Sequence, residues 1–328
     1  MPTAVLGDRA AGKTTFIGLL YAAQVKYTDE PSNRDIFRFY AAPSALNIIS
    51  RTYTELVEGR WPDATLKGQT TTLSFLFGYK KTMATLIPRW VQKKNWMNPF
   101  AIIGFGIYDV AGEDITDMIR TPDGRQTENF TDAAKKVLES RTLVFLIDAS
   151  RITTQARSKE HHDMLNYDGT MATLVSLVAQ YNSKKDDPAE RKIYPVIVFT
   201  KFDKVDRNVL IKMNLKEPYP PPLRDGKRRT EFAEKIMTNF FPQTLALLKG
   251  GSLMNVSFDN TAYFFTDVNT VFGDDGFPSP ALSVVPGGVG HELDYSYSEF
   301  EGFITHFKKI ADEMPDEIKE DEEIKPNK

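Results

Sequence analysis

The chain contains 328 residues, 41% of them hydrophobic and 26% charged, which is enough apolar material for one or two globular domains. Its net charge of −3 argues against general nucleic-acid binding, because nucleic-acid-binding domains are usually basic. The sequence has no cysteine, which excludes disulfides, thiol catalysis and cysteine-ligated metals, and its four histidines are too scattered for a zinc site.

The sequence also contains no long apolar segment of the kind that crosses a membrane. No window approaches the roughly twenty continuous apolar residues of a membrane-spanning helix. The first apolar run begins at the N-terminus and leads directly into the first motif, so we expect no cleaved signal peptide. These features predict a cytoplasmic protein.

A phosphate-binding loop is the first motif in the chain. It consists of Gly7, Asp8, Arg9, Ala10, Ala11, Gly12, Lys13 and Thr14, placed between an apolar run from Thr3 to Leu6 and a helical pattern that extends to about Val25. The glycines let successive amides face one centre, and the helix N-terminus adds positive charge there, so the loop is expected to bind polyphosphate. The alternative is an ordinary strand-to-helix turn with an exposed lysine.

The residue types within this loop predict separate roles. Lys13 is expected to contact the outer phosphates and to act in catalysis. The hydroxyl of Thr14 is expected to bind Mg²⁺. Thr15 completes the predicted nucleotide contacts of this segment.

Apolar runs alternate with helical patterns along the whole chain. Strands are predicted near residues 3–6, 71–79, 101–109, 142–148, 193–199 and 261–266, and helices over Gly12–Val25, Ser44–Glu58, Asp163–Tyr181, Thr230–Leu248 and Ser296–Glu313. This alternation predicts an α/β fold with a doubly wound, mostly parallel six-stranded sheet and helices on both faces. Such sheets bind ligands at the carboxyl ends of their strands.

Two polar motifs stand at the ends of predicted strands. Asp109 ends the third strand and Gly112 follows it, so a carboxylate can join the Mg²⁺ shell and a glycine amide can reach the γ-phosphate. The fifth strand ends in Thr200 and Lys201, with Asp203 two residues later. The Asp203 carboxylate can accept from two donors on one edge of guanine, and the Lys201 stem can pack along the base. Each motif alone is also typical of plain turns.

Together and in this order, the three motifs resemble those of the Ras-like branch of the translation-factor-related P-loop GTPases. The long segments between the motifs are similar to those of the larger prokaryotic members, and no subfamily is identified. The resemblance implies a P-loop GTPase domain that binds GTP or GDP with Mg²⁺. It also implies that the strand over residues 71–79 pairs antiparallel at the sheet edge.

The resemblance implies two further elements, which we locate by position. A threonine in the loop before the 71–79 strand should close over Mg²⁺, and we prefer Thr65 to Thr70 because Thr70 is typical of strand entry. A backbone segment after the sixth strand should cap the guanine. Thr266, Asp267 and Val268 occupy that position.

Two residues differ from the family pattern. Glu113 stands where many small GTPases have the glutamine that orients the attacking water, and its charge near the γ-phosphate predicts slow unaided hydrolysis. Arg9 occupies a loop position that is often glycine. It is either a built-in cation that stabilises the transition state or a residue that points to solvent or pairs with an acidic neighbour.

We predict a single GTP-binding domain over residues 1–315 and an acidic, flexible tail at 316–328. Insertions are expected near 26–64, 80–100, 204–229 and 269–295. The 80–100 insertion mixes basic residues with tryptophans, which predicts either a peripheral contact with an anionic membrane or a hairpin packed on the body.

The leading function is a GTP-hydrolysing molecular switch whose loops change conformation with the nucleotide and so control the binding of effector or regulatory proteins. A phosphotransferase that acts on a small substrate is the first alternative, although Asp203 suits guanine recognition. A scaffold that binds GTP with little turnover is the second, and Glu113 is compatible with it.

Overall fold

The computed structural model of the protein describes residues 2–8, 10–29, 37–41, 43–62, 71–80, 100–109, 132–153, 158–183, 191–250, 252–253, 256–258, 261–273, 276–284 and 291–313. The strands are β1 (Pro2–Gly7), β2 (Phe37–Ala41), β3 (Thr71–Lys80), β4 (Phe100–Asp109), β5 (Thr142–Asp148), β6 (Arg191–Thr200), β7 (Ser252–Leu253), β8 (Val256–Phe258), β9 (Ala262–Phe265), β10 (Thr270–Phe272), β11 (Pro278–Pro280), β12 (Leu282–Val284) and β13 (His291–Leu293). The helices are α1 (Lys13–Asp29), α2 (Pro43–Val57), α3 (Asp132–Leu138), α4 (Lys159–Ser183), α5 (Arg207–Lys212), α6 (Gly226–Phe240), α7 (Pro242–Lys249) and α8 (Tyr297–Glu313).

Among the described residues, a sheet of nine strands forms the centre of the fold. Its order is β2-β3-β4-β1-β5-β6, after which β6 pairs with both β8 and β9, and β7 pairs with β8. The strands β4, β1, β5, β6 and β9 run parallel, whereas β2 and β3 pair antiparallel with their neighbours. The carboxyl ends of the parallel strands therefore lie along one edge, where α/β folds bind ligands.

Alternate side chains of the central strands face two hydrophobic clusters, one on each side of the sheet. Along β5, Leu143, Phe145 and Ile147 belong to one cluster, while Val144 and Leu146 belong to the other. The first cluster includes side chains of α3 to α7, and the second includes those of α1, α2 and α8. Burial on both faces explains why these strands are continuous apolar runs. The predicted mixed α/β architecture with a mostly parallel sheet is confirmed.

The sheet differs from the prediction in size and at one edge. Short strands that the apolar pattern does not mark, β2, β7 and β8, extend it beyond six strands. The strand β3 pairs antiparallel with β4 as predicted, but it is not an edge strand, because β2 pairs with its other side.

The helix predicted over Thr230–Leu248 is wrong, because this segment forms two helices, α6 and α7. Proline has no amide hydrogen for the preceding turn, so Pro242 ends the continuous helix and occupies the first position of α7. Asp168 of α4 fixes this new start, since its carboxylate accepts from the amide of Gln243 at 3.0 Å and that of Thr244 at 2.9 Å. Farther along, the predicted 269–295 insertion contains two hairpins, β10–β11 and β12–β13.

A buried ion pair supports the outer side of β9. Arg229 of α6 donates to the carboxylate of Glu299 in α8 and also to the carbonyls of Tyr263 at 3.1 Å and Pro221 at 2.8 Å. Glu299 accepts from the amide of Phe265 at 2.9 Å. Burial lowers the pKa of Arg229 and raises that of Glu299, while each charge opposes the shift of the other. Side chains therefore satisfy main-chain groups on the side of β9 where no described strand pairs with it.

Within the part of the chain that the structure describes, no helix is both long and apolar enough to cross a membrane. Residues 81–99 and the predicted tail at 316–328 lie outside the described residues. Membrane contact through the 80–100 insertion, the flexible tail and the domain limits therefore stay predictions.

Candidate nucleotide site

The phosphate-binding loop connects the end of β1 to the start of α1. Gly7 is tightly packed, because a Cβ there would lie 3.1 Å from the Cβ of Leu146 and 3.2 Å from its carbonyl oxygen, so these neighbours would have to move by a few tenths of an ångström. Gly12 is required by its backbone, since a φ of 80° is rarely adopted by other residues. A Cβ on Gly12 would meet no atom of the described residues within 4 Å, so those residues leave space on this side of the loop.

Lys13 lies against the loop and is largely buried. Its Nζ donates to the carbonyl of Gly7 at 2.9 Å and to that of Asp8 at 3.2 Å. These bonds hold the ammonium group beside the N-terminus of α1, where the first amides of a helix have no carbonyl one turn before them. A fixed cation next to a helix N-terminus fits an anionic ligand such as a nucleotide phosphate.

The motif at the end of β6 is hydrogen-bonded directly to the phosphate loop. The buried hydroxyl of Thr200 donates to the carbonyl of Ala11 at 2.9 Å and lies 3.2 Å from the carbonyl oxygen of Ile147. Lys201 adopts a left-handed backbone conformation with φ 52°, and its Nζ donates to the carbonyl of Ala10 at 2.8 Å. Thr200 and Lys201 are predicted to contact the base of the nucleotide, and Ala10 and Ala11 its phosphates. The hydrogen bonds therefore connect the predicted base site to the predicted phosphate site.

Asp148, at the carboxyl end of β5, links the same two segments. Its carboxylate accepts from Nζ of Lys201 at 2.7 Å and from the amide of Ser150 at 3.1 Å, which starts the short 3₁₀ helix Ala149–Arg151. The Nε atom of Arg151 lies 3.7 Å from the same carboxylate. Two cationic side chains, those of Lys201 and Arg151, therefore pair with the buried carboxylate of Asp148 beside the phosphate loop.

Asp8, the second residue of the loop, is held through both its side chain and its main chain. Nη1 of Arg151 donates to Oδ2 of Asp8 at 2.6 Å. The hydroxyl of Tyr167 donates to the carbonyl of Leu146 at 3.1 Å and accepts from the amide of Asp8. Burial and then the charge of Asp8 raise the pKa of Tyr167 far above its ordinary value, so the hydroxyl stays protonated and keeps its donor role.

Sequence reasoning did not identify Asp148, Arg151 or Tyr167 as residues of this site. A signal existed for Asp148, because it ends a buried apolar run at the edge where Asp109 and Thr200 also end theirs. No local pattern marks the other two as site residues, since Arg151 donates to Asp8, 143 residues away in the chain, and Tyr167 donates to Leu146, 21 residues away.

The segments predicted to recognise the base lie together. The amide of Phe202 donates to the carbonyl of Thr266 at 3.2 Å, which places the segment after β9 beside the turn that contains Asp203. Asp203 forms an ion pair with Lys204 at 2.8 Å. Val268 forms an isolated bridge with Tyr295, outside the sheet.

Asp267 is predicted to contact the guanine through its backbone only, but both its amide and its carboxyl group have interactions of their own. Its amide donates to Oγ of Ser296 at 2.9 Å, so a guanine that contacts this amide must share or replace that bond. Burial raises the pKa of the Asp267 carboxyl from 3.8 to about 6, and the charges of Asp203 and Glu299 add to the shift. The predicted base site therefore contains two carboxyl groups, not one.

The predicted Mg²⁺ ligands are only partly covered by the described residues. Asp109 ends β4 and is paired in register with Val5 of β1, so its backbone lies beside the strand that enters the phosphate loop. Thr14 lies in the first turn of α1. Among the side chains that are described, no group of three or more His, Asp or Glu residues is arranged to hold a metal ion. The predicted site does not need such a group, because it consists of two threonine hydroxyl groups and one aspartate carboxylate.

Several predicted site residues lie outside the described residues: Arg9, Thr65, Gly112 and Glu113. Their roles in Mg²⁺ binding, γ-phosphate contact and hydrolysis stay predictions. The nucleotide-contact roles of Gly7 to Thr15, of Thr200, Lys201 and Asp203, and of Thr266 to Val268 also stay predictions, although the structure brings these segments together.

Comparisons with known proteins give little further information. No protein-family model matches the chain, and no curated protein matches it. Among solved structures, the signal recognition particle receptor SRb-GTP/SRX complex from Chaetomium thermophilum is similar at 10% sequence identity, with 80% of this chain and 89% of that chain covered and a TM-score of 0.32. A similarity of that size says nothing about the function of this chain.

Proposed function

We propose that this protein is a cytoplasmic molecular switch that binds GTP or GDP with Mg²⁺ and hydrolyses GTP. The observation that supports this most strongly is the pair of hydrogen bonds from Thr200 and Lys201 to the carbonyls of Ala11 and Ala10. Because these hydrogen bonds fix the phosphate loop beside the base-recognition motif, the two segments are suited to bind the two ends of a single nucleotide.

Each part of the site has a role in this proposal. The loop amides and Lys13 bind the phosphates, while Asp203 accepts from the two donors on one edge of guanine and the stem of Lys201 packs along the base. Thr14 and Asp109 hold Mg²⁺, which neutralises charge on the β- and γ-phosphates when bound.

Unaided hydrolysis is slow in this proposal, because Glu113 adds negative charge near the γ-phosphate. The nucleotide state controls two segments, the loop that contains Thr65 and the segment that follows Asp109. Effector or regulatory proteins that bind these segments then distinguish the GTP form from the GDP form.

The first test is direct binding of labelled GDP, GTP and ATP in the presence of Mg²⁺. We expect the wild-type chain to prefer the guanine nucleotides. Lys13→Ala should lose binding of all of them, because it removes the fixed cation of the loop. Lys249→Ala is the matched control, since this lysine is exposed on α7 and, in the described contacts, pairs only with the partly exposed Glu234.

A second variant tests base recognition alone. Asp203→Asn replaces an acceptor-only carboxylate by an amide that also donates, so it should lose GTP and gain xanthosine triphosphate, whose base presents an acceptor where guanine presents a donor. Two results would contradict the proposal and favour a phosphotransferase. The first is that the wild-type chain binds ATP as tightly as GTP, and the second is that Asp203→Asn leaves the affinity for GTP unchanged.

A further inference from the structure

We propose that Arg151 is a positioning residue that holds and neutralises the carboxylate of Asp8 in the phosphate loop, so that a negatively charged loop residue does not repel the bound polyphosphate. The inference rests on the proposed binding of a nucleotide at that loop. It assigns a role to a residue that lies outside the sequence motifs.

The geometry commits the Arg151 side chain to two carboxylates. Nη1 donates to Asp8 at 2.6 Å, and Nε lies 3.7 Å from Asp148. Asp148 is also bonded to Lys201 at 2.7 Å. The described contacts thus join two acids to two cations, and replacement of Arg151 by a neutral residue would make this cluster more negative by one charge beside the phosphate loop.

The position of Asp8 makes this charge important. Its carbonyl accepts from Lys13 at 3.2 Å and from the amide of Ala11 at 3.1 Å, so its backbone is part of the loop that faces the phosphates. A carboxylate in a loop that binds polyphosphate raises the free energy of the complex unless a cation neutralises it. Arg151 supplies that cation.

The backbone of Asp8 has a separate support, which allows the charge effect to be isolated. Tyr167 binds the Asp8 amide and the Leu146 carbonyl without using the carboxylate. Replacement of Arg151 should therefore change the charge at the loop while Tyr167 continues to hold the loop backbone.

A double-mutant cycle with Arg151→Gln and Asp8→Asn tests the inference, with GTP and GDP affinities measured for the four full-length proteins. Arg151→Gln alone should weaken GTP binding about tenfold and GDP binding by a smaller factor, because GTP has one more charged phosphate group. In the Asp8→Asn background, Arg151→Gln should have almost no effect. Arg151→Lys should recover most of the loss, since it keeps the positive charge.

Three outcomes would overturn the inference. An equal loss from Arg151→Gln in both backgrounds would show that Arg151 contacts the phosphates itself. An equal loss for GTP and GDP would show a general change in loop structure. No loss in either background, with normal guanine-nucleotide binding by the wild-type chain, would show that the pair has no role, whereas failure of the wild-type chain to bind nucleotide would contradict the proposed function instead.

Discussion

Two arginine–carboxylate pairs in this protein stand in contrasting environments. Arg229 and Glu299 lie behind β9 with side chains that are 5% and 8% exposed, and three main-chain groups surround them. Arg151 and Asp8 lie at the phosphate loop with side chains that are 24% and 39% exposed. The same chemistry is therefore placed once in the protein interior and once at the edge of the candidate site.

The difference in burial determines what each pair contributes. Loss of one partner from a buried pair leaves an uncompensated charge and unpaired main-chain groups in a medium of low polarity, which lowers the stability of the fold. Loss of one partner from a half-exposed pair is largely compensated by water. The first pair should therefore affect unfolding, and the second should affect the binding of a charged ligand.

Arg229→Met is expected to have the largest effect on stability. Methionine fills much of the space but leaves Glu299 buried without its cation and removes the donors that Arg229 supplies to the carbonyls of Tyr263 and Pro221. We expect the free energy of unfolding to fall by about 3–5 kcal/mol, measured by urea denaturation at pH 7.

Two control proteins sharpen this test. The double variant Arg229→Met, Glu299→Leu should recover part of the loss, because it removes both charges together. Lys249→Met breaks an exposed pair with Glu234 and should change stability by less than about 1 kcal/mol. Equal losses for Arg229→Met and Lys249→Met would contradict the role assigned to burial.

Asp267 provides an intermediate case, because it is partly buried and has no cation among its described neighbours that lowers its pKa. Its pKa is raised from 3.8 to about 6 in the folded state, so the folded chain binds more protons than the unfolded chain between these values. The contribution of Asp267 to the free energy of unfolding should therefore fall as the pH rises from about 4 to about 6. Asp267→Asn should remove this dependence and raise the free energy of unfolding at pH 7 by about 1–2 kcal/mol, after allowance for solvent screening.

The measurement is urea denaturation of both proteins at several pH values from 4 to 7. Asp294→Asn is the control, since the charge of Asp294 is the smallest cause of the Asp267 shift and its removal should leave most of the pH dependence in place. A wild-type stability that rises between pH 4 and 6 while Asp267→Asn shows the same slope would contradict the assignment.

The sequence predicted those parts of the fold and site that depend on local patterns. The buried strands are visible as apolar runs, and the order of motifs placed Lys13, Thr200 and Lys201 at one edge of the sheet. Parallel strands end at the same edge, so their terminal polar residues must meet there. The bonds from Thr200 and Lys201 to the loop carbonyls follow from that rule.

The parts that the sequence did not predict depend on tertiary contacts or on weak local signals. Strands of two to five residues such as β2 and β7 contain too few positions for a clear alternation, and their pairing comes from the neighbouring strand. The pairing of Arg151 with Asp8 brings together distant residues through the meeting of β1 and β5. The residues adjacent to Arg151 and to Asp8 in the sequence therefore do not indicate that the two side chains form a pair.

The smallest expected effect on stability is that of Arg151→Gln, and it completes the comparison of the two arginines. Because Arg151 and Asp8 are partly solvated, the nucleotide-free variant should lose less than about 1 kcal/mol of unfolding free energy. A bound ligand stabilises the folded state in proportion to the logarithm of its affinity, so a tenfold weaker complex should lose about 1.4 kcal/mol of the stabilisation that saturating GTP gives the wild-type chain. Thermal or urea unfolding with and without GTP measures both quantities in one pair of proteins. If the nucleotide-free variant loses as much unfolding free energy as Arg229→Met, then the Arg151–Asp8 pair stabilises the fold as much as the buried Arg229–Glu299 pair does. The difference in solvent exposure would then not explain what each pair contributes.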